Sequence, residues 1–410
     1  MTIVTNCRFC GTPLTATVVD LGETPLANSF VTESEATNEK CYPLSVRVCS
    51  SCLLVQTTIA VSPRDVFSGG YVYFSSVTDA WVEHARRYTD TTMARFGLEP
   101  RSLVVEVASN DGYLLQHFLK RDVPVLGIEP AANVAAAAVR KGIPTEVLFF
   151  NAETARRMRQ EGKRADLMVA NNVLAHVPDL VDFLSGFALL LKDEGIATFE
   201  FPHVLNLVRE IQFDTIYHEH VFYLSLTAVE RVFAAAGLMV VDVEEVPTHG
   251  GSLRLYAARR ESSQVAAYSV AELRAKERMA GLDRVEGYLG FAERVEAVKA
   301  GFLAFLKQAR SAGKTVAGYG AAAKGNTFLN VCGATRNDLV CVFDRSVAKQ
   351  GKLLPGSHIP VVAPERLADI RPDYLVILPW NIADEVMATN GILRSWGGAF
   401  IVAVPEVRVL

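Results

Sequence analysis

Cys7-x2-Cys10 and Cys49-x2-Cys52 constrain the fold of this chain more than any other feature of its sequence. Two such pairs converge on one tetrahedral Zn²⁺ and leave no open coordination position. Between them lie 38 residues, more than in a common zinc ribbon and enough for a small sheet. Each pair is followed by a residue suited to a tight knuckle turn, Gly11 or Leu53. Neither pair has a βαβ context, so redox chemistry is disfavoured. A closed four-cysteine site does no hydrolysis. Its expected role is to stabilise a module spanning residues 1–66, because a core of about 60 residues is marginal alone. Cys41 reads as a bystander, and Cys332 and Cys341, in apolar runs, read as core residues.

The chain has 410 residues, enough for two to four domains. Half of the residues are hydrophobic and 21% are charged, a globular composition that excludes extensive disorder. Lys plus Arg is 41 against 45 for Asp plus Glu, so nothing electrostatic points to a nucleic-acid partner. No apolar run reaches the length of about 18 that a membrane helix needs. The N-terminus lacks the basic and apolar regions of a secretory signal, so a cytoplasmic location with reduced thiols is expected. A monomer is compatible with all of this.

After residue 67 the pattern becomes α/β. A helix is expected over Val77–Phe96. The β-branched run Leu103–Val107 reads as a buried strand leading through Ala108-Ser109-Asn110-Asp111-Gly112 into a helix over Tyr113–Lys120. A second strand, Val123–Pro130, ends at Glu129, and a helix follows over Ala131–Lys141. Backbone N–H groups of the first turn can approach a ligand. Glu129, 23 residues after Glu106, stands where an acid can take both hydroxyls of a ribose. That suits either NAD or S-adenosylmethionine. The dinucleotide glycine fingerprint is absent here, since only Gly112 remains.

The segment Ala165–Asp179, containing Asn171, Asn172 and His176, looks like the fourth strand and loop of class I methyltransferases. Taken with the paired cysteines, the run Glu106–Leu115, Tyr217-His218-Glu219-His220 and a C-terminal Gly-rich strand, nearly the whole chain resembles the nucleotide-sugar C-methyltransferases of deoxysugar biosynthesis. The resemblance implies a zinc module, a class I methyltransferase domain over 67–260 and a second Rossmann-like domain over 261–410. It implies S-adenosylmethionine and Zn²⁺ as cofactors, and methyl transfer to C-3 of a dTDP-linked 4-keto-deoxyhexose. On the cofactor it implies Tyr71, Glu106, Ala108, Asn110, Gly112, Tyr113, Leu114, Glu129, Pro130, Asn171 and Asn172. Ala108 departs from the Gly that many methyltransferases carry, which narrows the room at the methionine end.

The pair of histidines, glutamate and two tyrosines between Tyr217 and Tyr223 is unusual in a chain with eight histidines. His218-x-His220 lacks the spacing of a helical zinc site. A carbon beside a ketone needs a base for its proton and a donor for the enolate oxygen, and histidine and tyrosine suit these tasks. The resemblance makes His220 the base, with Glu219 orienting sugar or base and Tyr217 touching the hexose or the enolate. The residues alone leave the base open between His220 and His176. His218 would point away from the site if the stretch were extended. Thr248-His249-Gly250-Gly251 reads as a hairpin turn.

Residues 262–312 have helical periodicity. Then Gly318-x-Gly320-x-x-Ala323 follows a strand, and a second strand, Leu339–Phe343, ends in Asp344. This is a dinucleotide fingerprint, and it supports a rival reading as an NAD-dependent nucleotide-sugar oxidoreductase. Lys324 and Lys349 could instead neutralise a pyrophosphate. The resemblance places the nucleotide sugar on this domain, with contacts from Phe201, His203, Tyr217, Tyr319, Ala321, Lys324, Asn326, Asp344, Lys349 and Trp380.

Overall fold

The computed structural model describes residues 2–60 and 74–410. Tyr71, expected at the cofactor, lies outside the described residues. In the N-terminal part, β1 (Ala16–Thr24), β2 (Tyr42–Val48) and β3 (Val55–Thr57) form an antiparallel sheet. Alternation along β2 sends Leu44, Val46 and Val48 inward.

Then follow α1 (Asp79–Phe96), β4 (Val104–Val107), α2 (Leu115–Leu119), β5 (Val125–Ile128), α3 (Ala132–Arg140) and β6 (Thr145–Glu146). After these come α4 (Ala152–Gln160), β7 (Ala165–Asn171), α5 (Leu180–Leu190), β8 (Leu191–Pro202) and α6 (Val204–Arg209). Strands β4 and β5 are buried at every position, and their sequences are β-branched or apolar except at Glu106 and Gly127. Helix α1 stops at Gly97, whose left-handed φ of 58° lets its N–H cap the Met93 carbonyl. The chain continues through β9 (Phe222–Tyr223), α7 (Leu226–Ala235), β10 (Leu238–Val246) and β11 (Ser252–Arg259). The central sheet has the order β10-β11-β8-β7-β4-β5-β6, with β11 antiparallel to both neighbours. Its other neighbouring strands pair in parallel. Strand order reverses between β4 and β7, where such sheets open a crevice at their carboxyl ends.

The last third comprises α8 (Tyr268–Met279), α9 (Phe291–Ser311), β12 (Val316–Tyr319), α10 (Ala323–Cys332), β13 (Val342–Phe343), β14 (Val361–Val362), β15 (Tyr374–Ile377), β16 (Ala399–Val402) and β17 (Arg408–Val409). Their order is β14-β13-β12-β15-β16-β17. That is the dinucleotide-fold order, with its switch point between β12 and β15. The strand expected over Leu339–Phe343 is shorter, because only Val342 and Phe343 pair with β12.

The N-terminal, central and C-terminal sheets share their cores. Val18, Leu44 and Val46 pack in one cluster with Phe213 and Ile216, with Phe291 and Phe302 of α9, and with Val342. Cys7, Cys49 and Cys52 join a second cluster with Phe199 and Phe222. The N-terminal sheet also takes β9 as its fourth strand, Phe222 opposite Gln56 and Tyr223 opposite Val55. A three-stranded sheet of this size cannot cover its own faces, so it closes on the rest of the chain. Among the described residues, no helix is long and apolar enough to cross a membrane.

Candidate active site and zinc centre

The sulfur atoms of Cys7, Cys10, Cys49 and Cys52 all lie within 4.8 Å of one another. Cys10–Cys49, Cys7–Cys52 and Cys10–Cys52 are 3.4, 3.5 and 3.6 Å apart. Thiolates about 2.3 Å from a tetrahedral zinc stand about 3.8 Å apart, so the cage fits one ion. Both knuckles form the same turn: Gly11 N–H donates to the Cys7 carbonyl and Leu53 N–H to that of Cys49, each at 2.9 Å. Gly11 and Leu53 both have left-handed backbones, φ 76° and 63°. Gln56 Nε2 donates to Cys7 Sγ at 3.2 Å, a contact that favours the thiolate a metal needs.

The turn after β4 carries three left-handed residues in five: Ala108 (φ 55°), Asn110 (φ 50°) and Gly112 (φ 76°). Ala108 therefore holds a conformation that glycine adopts without cost. Glu129 ends β5 with its oxygens accepting from Asn110 N–H (3.0 Å) and Ala131 N–H (2.8 Å). Burial raises its pKa. Burial, with Glu129 nearby, pushes Glu106 well above the carboxylate range. Glu106 Oε2, Asp111 Oδ1, Asn171 Oδ1 and Asn172 Oδ1 are buried acceptors with no protein donor. They surround the carboxyl ends of β4 and β7 and fit a ligand rich in O–H and N–H groups. Among the other residues assigned to the cofactor, Leu114 is fully buried in the core and Tyr113 is nearly so, while Pro130 stays partly open. Gly112 gives a direct prediction. A Cβ there would lie 2.2 Å from Ile143 Cδ1. The Ile143 methyl can move, but the backbone cannot relax, so Gly112→Ala should cost about 1–2 kcal/mol. Weakened S-adenosylhomocysteine binding, measured by calorimetry, should accompany a lower melting temperature.

The Tyr217–His220 stretch is a turn, not extended chain, closed by His220 N–H to the Tyr217 carbonyl at 2.9 Å. The turn carries His218 away from His220, since its Nε2 bonds the Pro43 carbonyl at 3.2 Å. His220 Nδ1 lies 2.9 Å from the Thr215 carbonyl. A carbonyl only accepts, so Nδ1 carries the proton and Nε2 keeps a lone pair. The Tyr217 hydroxyl donates to that lone pair at 2.7 Å. Burial, with His176 nearby, holds the His220 pKa well below its ordinary value, so the ring is neutral. His176 Nδ1 bonds the Glu219 carbonyl at 2.8 Å, and its ring meets His220 edge-on at 4.9 Å. Burial raises the Glu219 carboxyl to about 7, against a hydrogen bond of 2.9 Å from Asn28 Nδ2.

Further polar groups gather beside Asn172 and His249. Asn172 Nδ2 lies 3.0 Å from Nε2 of His249, a residue with a left-handed backbone (φ 54°). Burial lowers the His249 pKa to about 4. Trp81 packs against His249, His84 and Tyr113 with centroids 5.1, 4.9 and 5.9 Å away. Buried Glu200 accepts from His84, Thr248 and Arg254. Although burial raises its pKa, His84 and the Arg254 charge hold it at about 2. The signal for His249 was its paired glycines: a Cβ at Gly250 would meet Trp380, and one at Gly251 would meet Asn206.

The C-terminal crevice reaches the same place. Trp380 Nε1 donates to Asp214 Oδ2 at 2.7 Å, just before Thr215. The Lys324 ammonium bonds Asn381 Oδ1 at 2.6 Å and sits 4.8 Å from the Trp380 ring centroid. Asp344 caps the glycine-rich turn by accepting from Ala321 N–H at 2.7 Å, and Lys349 Nζ donates to the Ala321 carbonyl at 2.8 Å. Tyr319 ends β12 with a buried, unpartnered hydroxyl. Three residues expected at substrate have other surroundings. Phe201 is core, His203 Nε2 is taken by Glu277 at 2.7 Å, and Asn326 Nδ2 bonds the Ala27 carbonyl at 2.5 Å.

The sheet order, the left-handed turn after β4 and the acid ending β5 define an S-adenosylmethionine-dependent methyltransferase of class I. A "Methyltransferase domain" family model matches residues 81–243, a "C-methyltransferase C-terminal domain" model residues 247–405, and a "Putative zinc binding domain" model residues 7–67. The C-methyltransferase NovU of Streptomyces niveus is 38% identical over 408 residues, covering 99% of this chain and 97% of that protein. The chain belongs to this family of C-methyltransferases, with S-adenosylmethionine and zinc as its cofactors. A ubiquinone biosynthesis O-methyltransferase of Rhodopseudomonas palustris is 29% identical over 115 residues, 26% of this chain and 45% of that protein. The crystal structure of a Synechocystis magnesium protoporphyrin IX methyltransferase is 17% identical with a TM-score of 0.36, covering 48% of this chain and 92% of that one. The Gly318–Asp344 fingerprint falls within the C-methyltransferase C-terminal model.

Proposed function

We propose that this C-methyltransferase methylates C-3 of a dTDP-linked 4-keto-deoxyhexose, with or without an amine at C-3. The observation that carries this reading is the His220 ring: neutral, fixed by Thr215 with its lone pair on Nε2, and paired with the Tyr217 hydroxyl. The C-3 proton is acidified by the adjacent carbonyl. His220 Nε2 takes that proton, and the Tyr217 O–H turns from Nε2 to the ketone oxygen as charge develops there. Glu219 orients the sugar. His176 braces the turn by bonding the Glu219 carbonyl, and packs against the base. S-adenosylmethionine, held by Glu129 and the 108–112 turn, supplies an electrophilic methyl whose departure leaves a neutral thioether. Trp380, Lys324, Lys349 and the Ala321 turn form the wall on which the nucleotide is held. The half-buried Lys324 ammonium also acts on His220 and His249, as a cation near a pyrophosphate or an enolate would.

Methyl-¹³C S-adenosylmethionine and a dTDP-4-keto-deoxyhexose test the reading. The product should carry the label on carbon C-3, seen as a long-range correlation from the methyl protons to C-3 and C-4. A label on oxygen or nitrogen, or no product, would overturn it.

A further inference from the structure

We infer that Asn28, in the loop between the two cysteine pairs, is a positioning residue of the active site and acts through Glu219. This rests on the proposed function, which places Glu219 at the sugar. Asn28 lies 191 residues away in sequence, yet its Nδ2 is bonded to Glu219 Oε2 at 2.9 Å. Asn28 itself is exposed while Glu219 is buried, so the amide lies at the edge of the site. Three further contacts tie the N-terminal module to its surroundings: one holds the Asn28 loop on α10, and two join the sheet to the Tyr217–His220 turn and the strand after it. Asn326 Nδ2 of α10 holds the Ala27 carbonyl, His218 Nε2 bonds the Pro43 carbonyl, and β9 pairs with β3 directly after the turn. Thr57 N–H also donates to the Val221 carbonyl at 2.9 Å. Gln56 faces Phe222 across that pairing and donates to Cys7 Sγ. The zinc-stapled sheet is thus built into the catalytic segment.

The chemistry follows from burial. A carboxylate removed from water needs a donor to stay ionised, and Asn28 is the donor that lowers the Glu219 pKa against burial. The imidazoles of its chain neighbours His218 and His220, and of His176 on its backbone carbonyl, are lowered in pKa by burial and bring no compensating charge. Without Asn28 the carboxyl stays protonated to higher pH and loses its fixed orientation.

Single and double variants of the zinc-loaded enzyme test this. Asn28→Ala and the isosteric Asn28→Asp, both at an exposed position, should keep zinc content and melting temperature. They should lower kcat about 10- to 100-fold, the worth of a hydrogen bond to a charged group, with the KM for S-adenosylmethionine unchanged. The rising limb of kcat against pH, near 7 in the parent, should move to higher pH. Glu219→Gln should remove that limb, and adding Asn28→Ala to it should cost nothing more. Parent-like kcat and pH profiles in both Asn28 variants, with Glu219→Gln impaired, overturn the inference and leave the proposed function standing. Additive losses in the double variant overturn it as well. If Glu219→Gln behaves as the parent, the role of Glu219 in the proposed function falls, and the inference falls with it.

Discussion

His220→Asn should fold, bind S-adenosylhomocysteine and lose methyl transfer by about 10²- to 10⁴-fold in kcat, the usual contribution of a positioned general base. The asparagine amide can still donate to the Thr215 carbonyl that now holds His220 Nδ1. What disappears is the Nε2 lone pair that receives the Tyr217 proton. Calorimetry with S-adenosylhomocysteine and a circular dichroism melt separate this loss from misfolding. A variant with more than a third of the parental kcat would remove His220 as the base. His176, similarly buried and with Nδ1 also on a carbonyl, would then be the group to test.

Cys49→Ser should do more damage to stability than any substitution at the active site. A structural zinc contributes on the order of 10 kcal/mol to the fold that presents its ligands. Here the loss would spread. Cys49 and Cys52 share a core cluster with Phe199 of β8 and Phe222 of β9. Gln56 links Cys7 to the strand that follows the Tyr217–His220 turn. The variant should bind no zinc by metal analysis and melt well below the parent. It should also lose activity even at temperatures where the central sheet remains folded. A chelator strong enough to strip the parent enzyme should reproduce this. Unchanged melting after Cys49→Ser would end the structural role of zinc.

The linkage of Glu219 carries its own sign. Its folded pKa, about 7, lies above the ordinary carboxylate range. Its protonated form therefore stabilises the fold below that ordinary range, and this contribution is lost as pH rises through about 7. Activity that needs the ionised form rises over the same interval, so activity and stability should move in opposite directions between about pH 6 and 8.

Local patterns made much of this fold legible. The β-branched run that becomes β4, the largely apolar run that becomes β7, the left-handed turn at Gly112 and the cysteine knuckles each follow from neighbouring residues alone. The Tyr217–His220 stretch stands out in the sequence as a concentration of histidine and tyrosine. What stayed hidden depends on pairing across long sequence distances. Nothing near Asn28 announces Glu219, and nothing near Phe222 announces that it completes the sheet begun at Ala16. Trp81 reads as one more aromatic on a helix, and Glu200 as a charge at a strand end. Only the folded chain shows the first packed on His249 and the second shared by His84, Thr248 and Arg254. The partner of His203 is hidden for the same reason, because Glu277 lies on α8, 74 residues further along.

Proton exchange at the sugar tests the central claim most directly. The enzyme, S-adenosylhomocysteine and a dTDP-4-keto-deoxyhexose would be mixed in D₂O and followed by proton NMR, with no methyl available for transfer. Loss of the C-3 proton signal with the parent enzyme, and its persistence with His220→Asn, is the result expected if His220 removes that proton. Exchange at the parental rate in His220→Asn, or none in a parent enzyme that still methylates C-3 when S-adenosylmethionine is supplied, would contradict it.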